Sequence, residues 1–181
     1  MSAEGDVDVR EARLEDIPWV RNLAVRSVVF GIPCGRDIPE AEGQAHVRRT
    51  LGDLEFNFRS DPDFRILVAT DAATGERLGY LMLDLGHEEA STGERESLIH
   101  DLAVEPAHWG RFVVHRLVRR AAQVTHSRGL KYMVGEVTAD NRRTLVQALR
   151  LGFEVERHQI VMQCGEEGPL PMPGRPEEER A

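Results

Sequence analysis

Cysteine, tyrosine and tryptophan each occur only twice in this 181-residue chain, and aromatic residues together make up 6% of it. Cys34 and Cys164 are too few for a disulfide framework or a cysteine-based zinc site. The seven histidines show neither HxxxH nor HExxH spacing, so no metal is expected. No apolar run approaches the ~20 residues of a membrane-spanning helix. Positive charge is in the minority, with 23 Lys+Arg against 31 Asp+Glu and a net charge of −8. That balance argues against a phosphate-neutralising surface and against nucleic acid as the main partner. The opening Met1-Ser2-Ala3-Glu4-Gly5-Asp6 is acidic and polar, unlike a secretory signal, and a cytoplasmic location is expected.

What remains is the composition of one globular domain, 41% hydrophobic and 30% charged. Val7-Asp8-Val9-Arg10 alternates as a short first strand. Glu15-Asp16-Ile17-Pro18 carries helix-start chemistry, and Ile17, Val20, Ala24 and Val28 then form one apolar stripe. Gly31-Ile32-Pro33-Cys34-Gly35 breaks that helix, and a weaker helical pattern follows from Ala45 to Leu54. Cys34 in this loop reads as a passive small residue. The Phe56, Phe58 and Phe64 cluster is expected to pack around the second helix.

Ile66–Ala69 and Leu78–Leu83 read as strands joined by the turn-forming Asp71–Glu76, a β-hairpin. The polar stretch Gly86–Glu96 is expected to be a loop. Leu98–Val104, mostly apolar on both parities, reads as a strand covered on both faces and stopped by Pro106. The strongest helical pattern runs from Trp109 to about Arg128, and Gly129 ends it. Tyr132–Val137 reads as a further strand. Asp140 or Asn141 caps a last helix to Leu151, with Gly152 as its stop. Phe153–Met162 alternates loosely into one or two closing strands. Residues 165–181 hold Gly, Pro and Glu with little to bury, so the expected division is a domain over 1–164 and a disordered acidic tail over 165–181.

The resulting order, β-α-α-β-β-β-α-β-α-β, resembles that of the GNAT (GCN5-related N-acetyltransferase) family. Three segments carry the resemblance in sequence order. Val9–Pro18 is similar to the family's first strand and helix entry. Leu102-Ala103-Val104-Glu105-Pro106-Ala107-His108-Trp109-Gly110-Arg111 is similar to its fourth strand running into the acetyl-CoA loop. Asn141 through Leu151-Gly152-Phe153 is similar to its "N…LGF" ending. The resemblance spans roughly residues 7–163 and implies an α/β (α+β) fold with a mixed, mostly antiparallel sheet flanked by helices.

It also implies an acyl-CoA-dependent N-acetyltransferase with acetyl-CoA as co-substrate and a small-molecule or protein amine as acceptor. A homodimer is compatible with the sequence. The backbone of Leu102 and Val104 would pair with the pantetheine amides, and the following helix would offer its first N–H groups to the pyrophosphate. The loop positions are Trp109, Gly110, Arg111, Phe112, Val113 and Val114, with Asn141 near the cofactor in the last helix. From Pro106 to Gly135 there is no Asp or Glu, while Arg111, Arg116, Arg119, Arg120, Arg128 and Lys131 are present. Arg116, Arg119 and Arg120 also read as the solvated face of an amphipathic helix.

Phe112 and Val114 depart from the pattern, since they stand where the family places small residues. A Cβ there obstructs a phosphate or forbids φ > 0, and a β-branched Val is especially unsuited to it. The family's tyrosine acid in the last helix has Ala148 at its position. For deprotonating the amine the resemblance points to Glu136, with Glu96 as second candidate and His100 and Asp101 adjoining. The alternative is a catalytically degenerate member of the fold that senses a ligand or binds a protein.

Overall fold

The computed structural model describes residues 7–166 and 168–170. Strand β1 (Val7–Glu11) leads through a 3-10 turn into helix α1 (Ile17–Ser27), where Pro18 occupies the first turn. Two helices follow in place of the single one expected: α2 (Glu40–Thr50) and α3 (Leu54–Ser60), separated at Gly52-Asp53. Strands β2 (Phe64–Asp71), β3 (Arg77–Glu88) and β4 (Arg95–Val104) come next. They precede helix α4 (Val113–Ser127), strand β5 (Met133–Gly135) and helix α5 (Arg142–Arg150). Helix α4 therefore starts four residues after Trp109.

The sheet order is β1-β2-β3-β4-β5, antiparallel at every junction except the parallel β4–β5 pair. The period of two in β2 and β3 sends alternate side chains into two cores. Ile66, Val68, Tyr80 and Met82 meet Ile17, Val20, Leu23 and Ala24 of α1 and Leu54 of α3. Leu67, Ala69, Leu81 and Leu83 meet Val113, Leu117, Val118 and Ala121 of α4. The sheet is thus the middle of three layers. Phe58 and Phe64 pack against the first core, whereas Phe56 is exposed. Gly79 is obligatory: a Cβ built there would lie 2.8 Å from the Ala103 carbonyl oxygen.

The α1 entry is pinned by one buried carboxylate. Asp16 accepts from Arg10 Nη1 (2.7 Å), Arg77 Nε (2.6 Å) and the Arg13 N–H (2.7 Å), tying β1, α1 and β3 together. Burial opposes its ionisation, but these hydrogen bonds outweigh that cost and hold its pKa at about 2.

The carboxy-terminal end differs from the expectation. No strand forms over Phe153–Met162, and all of it except Phe153 is exposed. A strand needs a partner edge, and this stretch pairs with none. The remaining strands, β6 (Gln163–Gly165) and β7 (Gly168–Leu170), pair only with each other. That hairpin crosses the expected boundary at 164, and the rest of the expected tail, 171–181, lies outside the described residues.

Candidate functional site

Strands β4 and β5 run together for three residues and then part. Ser97, Leu98 and Ile99 pair with Met133, Val134 and Gly135. The shared end is anchored on α4 and on the chain before β5: Ser97 Oγ lies 2.7 Å from Thr125 Oγ1, and its N–H donates to the Tyr132 carbonyl at 3.0 Å. Beyond Ile99 the register with β3 slips by one residue, because Met82 faces Asp101 and Leu83 faces Ile99. His100 is the extra residue of a β-bulge, which bends a strand and increases its local twist.

Past the bulge β4 keeps β3 on one side and, among the described residues, has no strand on the other. The Glu105 N–H donates to the Leu78 carbonyl at 2.9 Å, so Glu105 faces β3. By alternation the peptide groups of Leu102 and Val104 face the open side. These are the two residues whose backbone was expected to meet a ligand, and at the fork they form a strand edge with no neighbouring strand among the described residues.

The loop after β4 reverses through a 3-10 turn at Pro106–His108. Gly110 (φ 88°) and Phe112 (φ 58°) then take left-handed conformations, and Phe112 is the one non-glycine residue to do so among the described residues. The steric demand foreseen for this position is therefore present, met by a residue ill-suited to it. Val114 corrects the expectation: it lies inside α4 with no positive φ and packs against the α4 core. Phe112 supplies no side-chain cap, so the first N–H groups of α4 are unbound by their own N-cap.

The basic residues divide into bound and exposed. Arg111 Nη2 donates to Asp71 Oδ2 at 2.8 Å, and Nη1 lies 3.3 Å from His108 Nδ1. The Arg111 guanidinium and the Thr74 and Ala73 N–H groups hold the Asp71 carboxyl at about 2. Arg111 thus ties the loop to the end of β2. Arg128 pairs with Asp63, far along the helix, while Arg119 and Arg120 are exposed.

Trp109 turns back onto the fork. Its indole N–H donates to the Val104 carbonyl at 3.0 Å, on the open edge of β4. Phe30 meets the ring edge-on, with centroids 5.6 Å apart, and the Arg143 guanidinium lies 4.3 Å from the ring centroid. The α1–α2 loop is strapped beside it. Asn141 Nδ2 donates to the Phe30 carbonyl (3.2 Å), Thr138 Oγ1 to the Gly31 carbonyl (2.9 Å), and the Cys34 N–H to Asp140 Oδ2 (3.0 Å). Asn141 also caps α5 by accepting from the Thr144 N–H at 3.2 Å, so both ends of its amide serve the chain.

The candidate bases are spread apart. Glu136 is exposed and follows directly after β5; continuing the register puts it level with His100, where the strands part. Glu96 is buried, with Oε1 3.6 Å from His87 Nε2. Four residues of strand, roughly 13 Å at ~3.3 Å each, separate it from the bulge. Glu96 and Glu136 do not converge on one proton. His100 is exposed.

Asp101 has no role in the reading from sequence, yet it sits beside the bulge and accepts from the Tyr80 hydroxyl at 2.5 Å. Burial pushes its carboxyl up, and the hydrogen bonds from Tyr80 and the Leu102 N–H only partly oppose that. Burial and the neighbouring Asp101 charge push the Tyr80 phenol up as well. The available signal was an acid inside an apolar strand. A cleft of about 410 Å³ lined by Trp19, Glu76, Arg77, Glu105 and His108 lies beside the loop and includes none of the fork residues. Among the described residues no helix is long and apolar enough to cross a membrane, and no cluster of His, Cys, Asp or Glu could hold a metal.

Residues 35–153 match the model of the Acetyltransferase (GNAT) family. A search of curated proteins finds no match. Among solved structures, one from Pyrococcus furiosus named as an acetyl transferase superposes with a TM-score of 0.69 at 19% identity, covering 87% of this chain and 98% of that one. Aminoglycoside N-acetyltransferase AAC(6')-Iy, solved in complex with CoA, superposes with a TM-score of 0.62 at 17% identity, covering 86% and 98%. AAC(6')-Ih from Acinetobacter baumannii superposes at 0.60 with 11% identity, covering 88% and 98%.

Proposed function

We propose that this chain, which belongs to the acetyltransferase (GNAT) family, transfers an acetyl group from acetyl-CoA to an amine. The observation that carries the reading is the fork: β4 leaves β5 after Ile99, presents the peptide groups of Leu102 and Val104, and leads into an uncapped helix start. A pantetheine arm is a chain with two amides, and a free strand edge is its natural partner. A pyrophosphate suits the N–H groups and positive dipole end of α4, in a stretch from Pro106 to Gly135 without a carboxylate. The left-handed turn at Phe112 supports the same use, since it curls the backbone at the helix entry. The residues present thus fit the group. Leu102, Val104 and the Val113–His115 amides would hold it, and it would supply the activated thioester.

The chain's own part is to hold the two reactants and move one proton. By the same alternation the Val104 N–H faces the open edge, where it can donate to an oxygen lying along the strand. Glu136, at the parting of the strands and open to water, is our candidate for accepting the amine proton. Asp101 is the second, because its raised carboxyl stands nearer to neutral pH than an ordinary aspartate. Glu96 is tied to His87 away from the fork and drops behind both. Ala148 offers no proton to the leaving group, so that thiolate would leave unassisted by α5. The family acts on amines; helices α1–α3 cover the face of the sheet where Asp101 lies, and we place the acceptor there.

The test is acetylation of a panel of amines by the unmodified protein, followed by pH–rate profiles of Glu136→Gln and Asp101→Asn. Glu136→Gln is expected to lower the rate and remove the acid-side limb. An unchanged Glu136→Gln profile with that limb lost in Asp101→Asn moves the base to Asp101. No turnover of any amine, with no heat on titrating acetyl-CoA, contradicts the reading.

A further inference from the structure

We infer that Trp109 is a displaceable plug of the strand edge, and that acyl-CoA enters only as this indole swings out. The inference rests on the acyl-CoA reading given above. Three contacts carry it. The indole N–H donates to the Val104 carbonyl at 3.0 Å, one of the few backbone groups the fork offers to a ligand amide. Phe30 packs edge-on against the ring at 5.6 Å, and Arg143 covers it at 4.3 Å from the centroid.

The physical reason for the contact is the edge itself. Where β4 leaves β5, a backbone acceptor on a largely buried residue would otherwise lack a partner, and such groups are seldom left unpaired. Trp109 is the residue the chain folds back to meet it, after the 3-10 turn at Pro106–His108. A ligand amide N–H would make the same bond to the same oxygen. The oxygen has two lone pairs, but the indole fills the open-edge side from which a ligand amide would approach it, so the ring must leave before the arm can bind.

The ring is suited to leaving. It is 42% exposed and Phe30 is 52% exposed, so displacement breaks no core packing. Among the described residues, an aromatic edge contact, a cation over its face and one neutral hydrogen bond hold it in place. Phe30 belongs to the loop strapped to residues 138–141, on the far side of the fork. The plug therefore bridges the two lips of the fork, from the β4 edge to the segment that follows β5. Its departure frees the acceptor on one lip and removes a contact from the other. Trp109 thus sets affinity for the co-substrate, as does Phe30 through it.

The experiment uses the full chain with acetyl-CoA as the probe. Trp109→Phe keeps a ring but has no N–H, Trp109→Ala removes the ring, and Phe30→Ala loosens it. Calorimetric titration is expected to show Trp109→Phe binding acetyl-CoA more tightly than the unmodified protein by roughly two- to tenfold, the size of one neutral hydrogen bond. Phe30→Ala is expected to change in the same direction. As a second readout, the difference between wild-type and Trp109→Phe emission isolates the Trp109 signal from Trp19. That signal is expected to become more accessible to acrylamide on saturation with acetyl-CoA. Binding by the unmodified protein with no change in Trp109 accessibility, or weaker binding by Trp109→Phe and Trp109→Ala, overturns the plug and leaves the acyl-CoA reading intact. No binding by any of the four proteins overturns both.

Discussion

Helices α4 and α5 are both strongly amphipathic, yet α4 buries Val113, Leu117, Val118, Ala121 and Thr125 while α5 buries no residue. The difference lies in what each has to cover. Helix α4 lies against β1 to β4, a broad face whose alternate residues Leu67, Ala69, Leu81 and Leu83 all point towards it. Helix α5 follows β5, three residues paired to one neighbour, and has little sheet face beneath it. It is fixed at its ends instead. Asn141 caps its start, and at its end Leu151 and Phe153, on either side of the Gly152 turn (φ 96°), pack against the α4 core. An apolar stripe shows that a helix has a face to bury. Whether a surface exists to bury it against is a property of the strands around it.

The α4 layer is therefore where a lost side chain should cost most. Leu117→Ala is expected to destabilise by about 2–5 kcal/mol, since it empties a fully buried site. Urea unfolding checks it, and a loss under ~1 kcal/mol would mean that the α4 layer is loosely packed.

Acid should loosen the α1 entry through Asp16. Its folded pKa of about 2 lies below the ordinary value of 3.8, so the stability it contributes is present above pH ~4 and is lost as pH falls towards 2. The contribution is about 2 kcal/mol, from the ~1.36 kcal/mol per pKa unit of linkage. Asp16→Asn should flatten stability across that window in pH-dependent melting curves. Retention of the full acid slope in that variant would assign it to other carboxylates.

Phe112 stands at the entry to α4, and changing it should raise stability. Phe112→Gly relieves a left-handed residue whose ring is 55% exposed, for a gain of roughly 0.5–1 kcal/mol. A lower melting temperature would show that the ring contributes more than the strain costs. The smallest effect belongs to α5: Leu149→Ala, at a site 46% exposed, should stay within ~0.5 kcal/mol. A loss comparable to that of Leu117→Ala would erase the contrast between the helices.

Periodicity made the central sheet and its helices legible, because β2, β3 and α4 carry their burial pattern in consecutive residues. The free edge at Leu102 and Val104 was legible only through the resemblance. What escaped depends on contacts distant in sequence. Asp101 is raised by burial and finds its side-chain partner in Tyr80, 21 residues away across the β3–β4 register. Trp109 reads as a loop residue until the chain reverses and brings it to Val104. The left-handed turn at Phe112 was foreseen from the family pattern, but not that phenylalanine would adopt it, nor that Val114 would escape into the helix. The alternation of Phe153–Met162 resembled that of the true strands and lacked only a partner edge.

The central claim is that a co-substrate lies along the open edge of β4 and against the start of α4. Amide chemical-shift mapping of the 20.4 kDa chain on addition of acetyl-CoA tests it most directly. The account predicts that the largest shifts fall on Leu102 and Val104 and on Val113, Val114 and His115, with the Trp109 indole N–H moving at the same ligand concentration. Shifts confined to the cleft of Trp19, Arg77 and His108, or none at saturating acetyl-CoA, would contradict it.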